Sequence, residues 1–417
     1  MRDRAARAIA ECKLIAAMSE EPDRITRRFL TPPMHDVHAH LRARMELLGM
    51  TVWVDAAGNL RGLWQPEGAP AKRLVIGSHI DTVPDGGAYD GVLGVVLALE
   101  WIALAQELAL PLAIEAIAFS EEEGVRFGVP FLGSRAVAGC FDRTMLAYED
   151  ADGVRMDDAI RAFGLDPTRI SEAALGEDVL GFVEIHIEQG PVLEAENLPL
   201  AVVEGIIGQT RLGLRFTGQA NHAGTTPMHL RRDALAAAAE WITTVESTVQ
   251  KAAAQKDPLR QEPGLVATVG KIALEPNAGN VIPGVVSVSL DLRHMSNRSR
   301  SHWVRELILD ATLIARRRGI EFEWVQKLDE RRVDMDPNLS LCLKLAVEAA
   351  GFPVKIMPSG AGHDAMVMAA RVPTAMLFLR SPGGISHHPA ETVREEDVEA
   401  SLHVGREFLL RFARDFG

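Results

Sequence analysis

The order of predicted helices and strands in the middle of the chain constrains the fold more than any other feature. Between residues 206 and 328 the apolar pattern predicts strand, helix, strand, strand, helix and strand, at 209–217, 233–251, 265–274, 285–294, 301–318 and 321–326. This β-α-β-β-α-β order is a complete ferredoxin-like unit. Because a self-sufficient unit lies between two halves of a different pattern, the sequence predicts an inserted α+β domain.

The segments on both sides are predicted to form one α/β domain with a mixed, mostly parallel sheet. Short apolar runs alternate there with longer helical patterns, which is typical of a parallel sheet covered by helices. Strands are predicted at 74–79, 112–119, 181–187 and 372–379, and helices at 92–108 and 339–350. A chain of 417 residues is long enough for two cores. We therefore predict one domain formed by residues 1–205 and 329–417, with residues 206–328 inserted into it.

Charge, cysteine content and hydropathy argue against several classes of partner. The formal charge is −13, from 57 acidic and 44 basic residues, and no long basic stripe interrupts it, so we expect no nucleic-acid partner. The three cysteines lack the spacing of a disulfide framework or a thiolate zinc site, which suits a reducing compartment. The most apolar stretch, at 92–105, contains Gly94 and Glu100 and is too short for a membrane span. A cytoplasmic protein without membrane partners is expected.

Polar residues at the ends of the predicted strands are candidates for a metal site. His79 ends one strand, and alternation along an extended chain places Asp81 on the same side, where a carboxylate can hold the imidazole of a ligand in the right tautomer. A glycine-rich turn then leads to Asp90 at the start of the next helix. Asp90 can cap that helix or bridge two metal ions, and the sequence leaves both alternatives open.

The other strand ends add histidines and a run of three glutamates. The glutamate run, 121–123, follows the second strand, at the carboxyl edge where open α/β sheets bind ligands. His186 lies in the third strand, and His387 and His388 follow the last one. The glutamate run alone is a solvated turn about as often as a site, and each histidine alone is more often structural or exposed than a ligand. Together they match a nitrogen and oxygen site for zinc or a similar first-row dication.

Several motifs, taken together and in order, resemble a known family. They are Gly77-Ser78-His79-Ile80-Asp81-Thr82-Val83 with Tyr89-Asp90-Gly91, Glu122-Glu123-Gly124-Val125-Arg126-Phe127, His186-Ile187-Glu188-Gln189-Gly190-Pro191, Asn221-His222-Ala223-Gly224-Thr225-Thr226-Pro227-Met228, Gly362-His363-Asp364-Ala365 and Ser386-His387-His388-Pro389-Ala390-Glu391. The chain resembles the hydantoinase/carbamoylase branch of the M20 metallopeptidase family from about residue 40 onwards. That branch includes N-carbamoyl-L-amino-acid hydrolases, allantoate amidohydrolases, ureidoglycolate amidohydrolases and β-ureidopropionases.

The resemblance implies two divalent metal ions per subunit, with zinc as the first candidate and manganese, cobalt or nickel as alternatives. It implies five ligands, of which the aspartate bridges: His79, Asp90, Glu123, His186 and His387. Family members have two glutamates directly before the glycine, so Glu122 is assigned as the general base and Glu121 as the extra residue. The family pattern places the last ligand directly after a serine, which favours His387 over His388.

The resemblance also implies how a substrate is bound. The inserted domain would act as a lid and form a homodimer, with His222 supplying a donor to the oxyanion in the partner subunit's active site. Asn280 and Arg293 would hold a substrate carboxylate, a task suited to the fork of a guanidinium group. Gln189 and His363 are further substrate-side candidates.

The reaction implied by the resemblance is hydrolysis of a C–N bond in a small linear ureido acid. The first candidate substrate is an N-carbamoyl-L-amino acid, which would yield ammonia, carbon dioxide and an L-amino acid. Allantoate is the main alternative, followed by ureidoglycolate and β-ureidopropionate. An M20 aminoacylase or peptidase and an inactive binding protein are the broader alternatives.

Overall fold

In the computed structural model, which describes residues 1–255 and 264–416, the chain divides into two units. The first comprises Met1–Gly205 and the chain from Asp334 onwards, and the second comprises Ile206–Val333. The sequence predicts that the insertion ends at residue 328, whereas the second unit extends to Val333. The difference arises because the last long strand of this unit continues to Glu330.

Helices and strands are interspersed along the described chain. The helices are α1 (Arg2–Ala16), α2 (Pro32–Leu47), α3 (Val92–Glu107), α4 (Leu132–Val137), α5 (Met156–Ala162), α6 (Val192–Ala195), α7 (Ala234–Ala253), α8 (Asn297–Arg318), α9 (Pro337–Ala349), α10 (Asp364–Met368) and α11 (Glu395–Phe416). The strands are β1 (Thr51–Val54), β2 (Leu60–Trp64), β3 (Arg73–His79), β4 (Ala113–Phe119), β5 (Val179–Ile187), β6 (Leu200–Ile206), β7 (Gly208–Thr217), β8 (Asn221–His222), β9 (Val266–Thr268), β10 (Ile272–Glu275), β11 (Val281–Ile282), β12 (Val285–His294), β13 (Glu321–Glu330), β14 (Val333–Asp334), β15 (Ile356–Ser359) and β16 (Thr374–Leu379). Among the described residues no helix is both long and apolar enough to cross a membrane.

The first unit is built on a mixed sheet whose centre is parallel. Within the described residues the strand order is β1-β2-β4-β3-β5-β16-β6-β14, with β15 also paired to β6. Strands β4, β3, β5 and β16 are mutually parallel, whereas β2 and β6 run antiparallel to their neighbours β4 and β16. The predicted α/β class with a mostly parallel sheet is confirmed. Because the four central strands run the same way, their carboxyl ends meet at one edge.

Helix α3 is buried on nearly all sides because it packs between the sheet and other helices. It contacts β3, β4 and β5 as well as α1 and α11. A Cβ on Gly94 would lie 2.0 Å from the backbone oxygen of Ile185, so the absence of a side chain lets the helix approach β5 closely. Glu100 is buried in the same helix and pairs with Arg4 and Arg44. The close packing of α3 fixes the position of the turn that precedes it.

The second unit has its own sheet and core. Strands β10, β12, β7 and β13 lie in this order, β9 also pairs with β12, and helices α7 and α8 pack against the strands. The single strand predicted at 265–274 is wrong, because the structure has β9 and β10 with a gap between them. Thr268 pairs with Asp291 and Ile272 pairs with Val288, so the register shifts by one residue across the gap. Such a shift is the effect of a β-bulge.

Candidate metal centre

The ends of the parallel strands bring the predicted ligands together. His79 is the last residue of β3, and His186 is the penultimate residue of β5. Glu123 follows β4, and His387 lies in the loop after β16. Asp90 precedes α3, which returns across the sheet from β3. The carboxyl edge of an open α/β sheet is the usual place for a ligand site.

Asp90 lies between two groups of side chains and directs one oxygen to each. Its Oδ1 atom is 3.5 Å from His79 Nε2 and 3.1 Å from His186 Nε2. Its Oδ2 atom is 3.1 Å from His387 Nε2, which in turn lies 3.4 Å from Glu123 Oε1. The structure therefore forms two triplets that share one carboxylate: His79, Asp90 and His186, and Asp90, Glu123 and His387.

The charge balance of these triplets fits divalent cations. Burial raises the pKa of Glu123 to about 7, and the neighbouring Asp90 adds to the rise. Burial would also raise the pKa of Asp90, but contacts with His186, His387 and His79 hold it well below its ordinary value. The contact with Asp90 raises the pKa of His387 to about 9. The carboxylates of these triplets therefore favour positive charge beside them, which metal ions would supply when bound.

The donor atoms also fit a metal. Asp90 Oδ1 is buried and accepts no well-aligned hydrogen bond from the described part of the chain. His186 Nδ1 lies 2.9 Å from the backbone oxygen of Ile187, and His79 Nδ1 lies 3.1 Å from that of Asp81. Each ring can therefore donate its Nδ1–H to a carbonyl and keep Nε2 free as a ligand. A set of three imidazoles and two carboxylates without thiolates suits zinc and similar first-row ions.

The carboxylate of Asp81 holds the glutamate turn. The sequence predicts that this carboxylate orients His79, but it lies 3.5 Å from His79 Nδ1, farther than the Asp81 carbonyl. The two Asp81 oxygens instead accept the backbone N–H groups of Glu122 and Glu123, both at 3.0 Å. Asp81 therefore links the end of β3 to the turn after β4.

The side chains of the three consecutive glutamates lie in different surroundings. The buried carboxylate of Glu121 accepts the backbone N–H groups of Phe29 at 3.1 Å and Arg126 at 3.0 Å. Glu122 and Glu123 instead come together with His79, with potential ligand atoms within 4.8 Å of one another. The structure therefore separates Glu121 from the two glutamates that lie at the centre.

The helix-capping alternative for Asp90 is wrong. The N-cap of α3 is Gly91, and the Asp90 side chain contacts the histidines instead. Gly91 has φ 65°, and a Cβ there would lie 2.5 Å from the His79 ring. Only glycine fits this position without moving the ring.

Two residues of the centre have left-handed backbone conformations. Gln189 has φ 58° and His387 has φ 56°. Gln189 Nε2 donates to Asp90 Oδ2 at 3.0 Å, while its buried Oε1 has no hydrogen-bond partner among the described residues. The left-handed conformations of Gln189 and His387 are of a kind often kept where a side chain must point in one direction.

His388 is exposed, and its Nδ1 accepts the N–H of Ala390 at 3.0 Å.

His363 packs beside the centre and lies against a buried glutamate network that the sequence did not reveal. Its ring meets the His186 ring edge-on, with centroids 4.4 Å apart, and its Nε2 lies 2.9 Å from Ser359 Oγ. Glu184 is near both histidines, but its oxygens accept Ser78 Oγ at 2.9 Å and the N–H of Ala365 at 2.7 Å. Glu184 is therefore engaged in supporting contacts. The signal available in the sequence was Glu184 itself, a charged residue inside an apolar strand and two positions before His186.

The second unit brings His222 and Asn280 together. His222 lies in β8, which pairs with β11, and Ala223 donates its N–H to the Asn280 carbonyl at 3.0 Å. The Nδ1 atom of the exposed His222 accepts the N–H groups of Gly224 at 3.1 Å and Thr225 at 3.2 Å. Its proton therefore sits on Nε2 in the neutral ring, which makes Nε2 a donor.

Arg293, the predicted carboxylate-binding residue, lies on β12 and already has a carboxylate partner. Its Nε and Nη2 atoms donate to the two oxygens of Asp291 at 2.9 and 3.0 Å. Arg211 donates to the same aspartate at 2.9 Å. A substrate carboxylate would therefore approach a guanidinium group whose orientation is already set by a bidentate pair.

The histidines and carboxylates at the carboxyl edge of this α/β sheet form two triplets around one aspartate. Metal-dependent hydrolases use donors arranged in this way. Residues 75–414 match the sequence profile described as Peptidase family M20/M25/M40, and the chain belongs to this family.

Three similar proteins show which branch of this family the chain resembles. The allantoate deiminase of Arabidopsis thaliana is 39% identical over 96% of this chain and 81% of its own length. The N-carbamoyl-L-amino acid amidohydrolase of Geobacillus stearothermophilus is 38% identical over 86% of each chain. The crystal structure of an amidase of the hydantoinase/carbamoylase family from Burkholderia multivorans has a TM-score of 0.88 at 32% identity and covers 98% of this chain and 97% of its own. The resemblance to the hydantoinase/carbamoylase branch is confirmed.

Proposed function

We propose that this chain is a two-metal amidohydrolase that cleaves a C–N bond of a small ureido acid. The observation that carries the proposal is the shared carboxylate of Asp90, with one oxygen facing each triplet. His79 and His186 would hold one cation, and Glu123 and His387 the other. Zinc is the first candidate, and manganese, cobalt or nickel also suit this donor set. When bound, the cations would act as Lewis acids towards the scissile carbonyl and the attacking water.

Glu122 is proposed as the general base. It lies beside His79 at the centre, whereas Glu121 is held by two backbone N–H groups. A carboxylate in this place can take a proton from water and deliver it to the leaving nitrogen. Hydrolysis of a carbamoyl group in this way releases ammonia and carbon dioxide and leaves an amine.

The hydrogen bonding of Gln189 favours a ureido substrate over an ordinary amide. Its Nε2 is fixed by Asp90, which leaves Oε1 buried with no hydrogen-bond partner among the described residues. The terminal NH2 of a carbamoyl group can donate to this oxygen, whereas the methyl group of an acetyl amide cannot. A buried acceptor that stays unpaired costs binding free energy, so such a site discriminates against the analogue without the donor.

The second unit is proposed to bind the substrate carboxylate and to form a homodimer. Arg293 and Asn280 would hold the carboxylate, and His222 of one subunit would complete the partner's site. His363, which belongs to the first unit, would support the substrate side. The homodimer is supported by four apolar residues that are each about half exposed, two on α8 and two on β13: Leu309, Leu313, Trp324 and Val325. Leu309 and Trp324 line the same groove, and β13 is an edge strand of the described sheet. An exposed apolar patch beside a strand edge suits a twofold interface.

An N-carbamoyl-L-amino acid is the first candidate substrate and allantoate is the second. Relatives named for each substrate match the chain, the allantoate deiminase at 39% identity over 96% of it and the N-carbamoyl-L-amino acid amidohydrolase at 38% over 86%. The metal-loaded protein is expected to release ammonia from one of these ureido acids at least about 100-fold faster than it cleaves the matching N-acetyl-L-amino acid. Ammonia and new primary amine are measured in parallel, with N-carbamoyl-D-amino acids as the stereochemical control.

Other outcomes of this screen select the alternatives. Cleavage of N-acetyl-amino acids or dipeptides without cleavage of any ureido acid would show an aminoacylase or peptidase. A fully metallated protein that cleaves nothing in the screen would be a binding protein. Ureidoglycolate and β-ureidopropionate belong in the same panel as the remaining ureido acids.

A further inference from the structure

Glu391 is a buried glutamate that contacts two of the segments forming the metal centre. It is 5% exposed. Its Oε1 accepts the backbone N–H groups of Tyr89 at 2.9 Å and Asp90 at 3.0 Å, and its Oε2 accepts the hydroxyl of Ser386 at 3.0 Å. Tyr89 and Asp90 lie just before α3, whereas Ser386 directly precedes His387. One carboxylate therefore joins the segment of the shared aspartate to the segment of a proposed ligand.

Ser386 extends this connection to the Asp90 side chain. Its Oγ lies 3.0 Å from Glu391 Oε2 and 3.1 Å from Asp90 Oδ2, so its one hydroxyl proton can be donated to either carboxylate. Glu391 thus contacts the Asp90 backbone directly and its carboxylate through Ser386. Together with Gln189 Nε2, which donates to the same Oδ2 atom, these contacts restrict the rotation of the Asp90 carboxylate and so determine which oxygen faces His387.

The glycine-rich turn has a space that the Glu391 carboxylate fills. A Cβ on Gly87 would lie 2.1 Å from the carboxyl carbon and from one oxygen of Glu391. Any side chain at this position would displace the carboxylate. Both the turn and the later loop are therefore shaped around Glu391.

The two triplets depend on Glu391 to different degrees. Asp90 and His387 lie on the segments that Glu391 joins. His79 and His186 lie at the ends of β3 and β5, which pair with each other along the sheet. Without Glu391, Asp90 Oδ2 and His387 would be held less firmly in place, while the strands would still hold His79 and His186.

We propose that Glu391 is a positioning residue that sets the affinity of the triplet Asp90, Glu123 and His387 for its cation. The proposal rests on the proposed two-metal function. Groups that orient metal ligands change metal affinity by roughly 10- to 100-fold when they are removed. Glu391 would act through Asp90 and His387 and would not touch the metal itself.

The test measures metal bound per subunit against a series of chelator concentrations, with zinc and with manganese. The wild type is expected to bind two ions. In Glu391→Ala one of the two sites should weaken by roughly 10- to 100-fold, while the other changes by only a few-fold. The affinity of the weakened site in Glu391→Gln should lie between its values in the wild type and in Glu391→Ala. The remaining oxygen of the glutamine can still accept the N–H groups of Tyr89 and Asp90, whereas its amide nitrogen cannot accept the Ser386 proton.

A matched control comes from Asp55, a buried carboxylate that accepts the backbone N–H groups of Ala57 at 3.0 Å and Asn59 at 3.1 Å. Asp55→Asn should lower the melting temperature and keep both metal affinities. If Glu391→Ala does not fold, Glu391→Gln decides the outcome. A wild type with two ions whose variants keep both affinities, or weaken both equally, overturns this inference alone. A wild type that binds no divalent ion overturns the proposed function and this inference with it.

Discussion

Replacement of Glu122 by glutamine is expected to lower kcat by about 10²- to 10⁴-fold while both metal sites stay filled. The amide cannot accept the proton of the attacking water, but none of the five proposed ligands is altered. Metal content per subunit and the rate of ammonia release from the preferred ureido acid are measured on the same preparation. A loss of turnover without loss of metal is the result that separates a base from a ligand.

The two neighbouring glutamates are matched controls for this variant. Glu123→Gln should lose the cation of the triplet with Asp90 and His387. Glu121→Gln should keep metal and most of its turnover, but its free energy of unfolding should fall by about 1–3 kcal/mol because one of the two backbone N–H groups loses its acceptor oxygen. If Glu122→Gln loses metal and Glu123→Gln keeps it, the two roles are reversed. Wild-type turnover in fully metallated Glu122→Gln would exclude Glu122 as the base.

Two inactive variants are expected to restore each other's activity if His222 completes the partner's site. Glu122→Gln and His222→Ala carry their lesions in different units of the chain, so a mixed dimer would contain one intact composite site. Random reassociation gives half mixed dimers, each with one working site of two, and therefore about a quarter of wild-type activity. Ammonia release is measured before and after the two proteins are dissociated and mixed.

The control for the His222 variant is His229→Ala, an exposed histidine in the same segment of the second unit. This variant should keep wild-type activity, because His229 has no assigned role. Mass-labelled subunits show whether mixed dimers have formed. Mixed dimers without recovered activity would place His222 within its own subunit's site or outside the reaction.

The strands that carry the centre could be predicted because they are buried on both faces. Mostly apolar runs at 74–79, 112–119 and 181–187 correspond to β3, β4 and β5. Their polar ends then pointed to one edge of the sheet, and the family resemblance selected Glu123 and His387 among the candidates there. The amphipathic helix α11 was not among the predicted elements, although its first turn contains Glu395, Glu396 and Asp397, a common sign of a helix start.

The resemblance implied that Asp90 bridges two cations, but which side chains face each oxygen of Asp90 could not be predicted from the residues alone. Which oxygen of Asp90 faces which histidine depends on side-chain rotation, and contacts distant in sequence set that rotation. Glu391 lies 302 residues beyond Tyr89 in the chain, and nothing in a linear pattern connects them. The gap between β9 and β10 escaped prediction for a similar reason, since a register shift is defined only by the partner strand β12.

Removal and return of metal, with ammonia release followed throughout, tests the two-metal account most directly. Chelation to zero measured metal is expected to abolish ammonia release from the preferred ureido acid. Return of zinc, manganese, cobalt or nickel should restore it to different extents, because a donor set of imidazoles and carboxylates does not select one ion by affinity alone. Activity should rise as the second ion binds and level off at two per subunit. Undiminished ammonia release from a chain with no measurable metal would contradict the account, as would full activity at one ion per subunit.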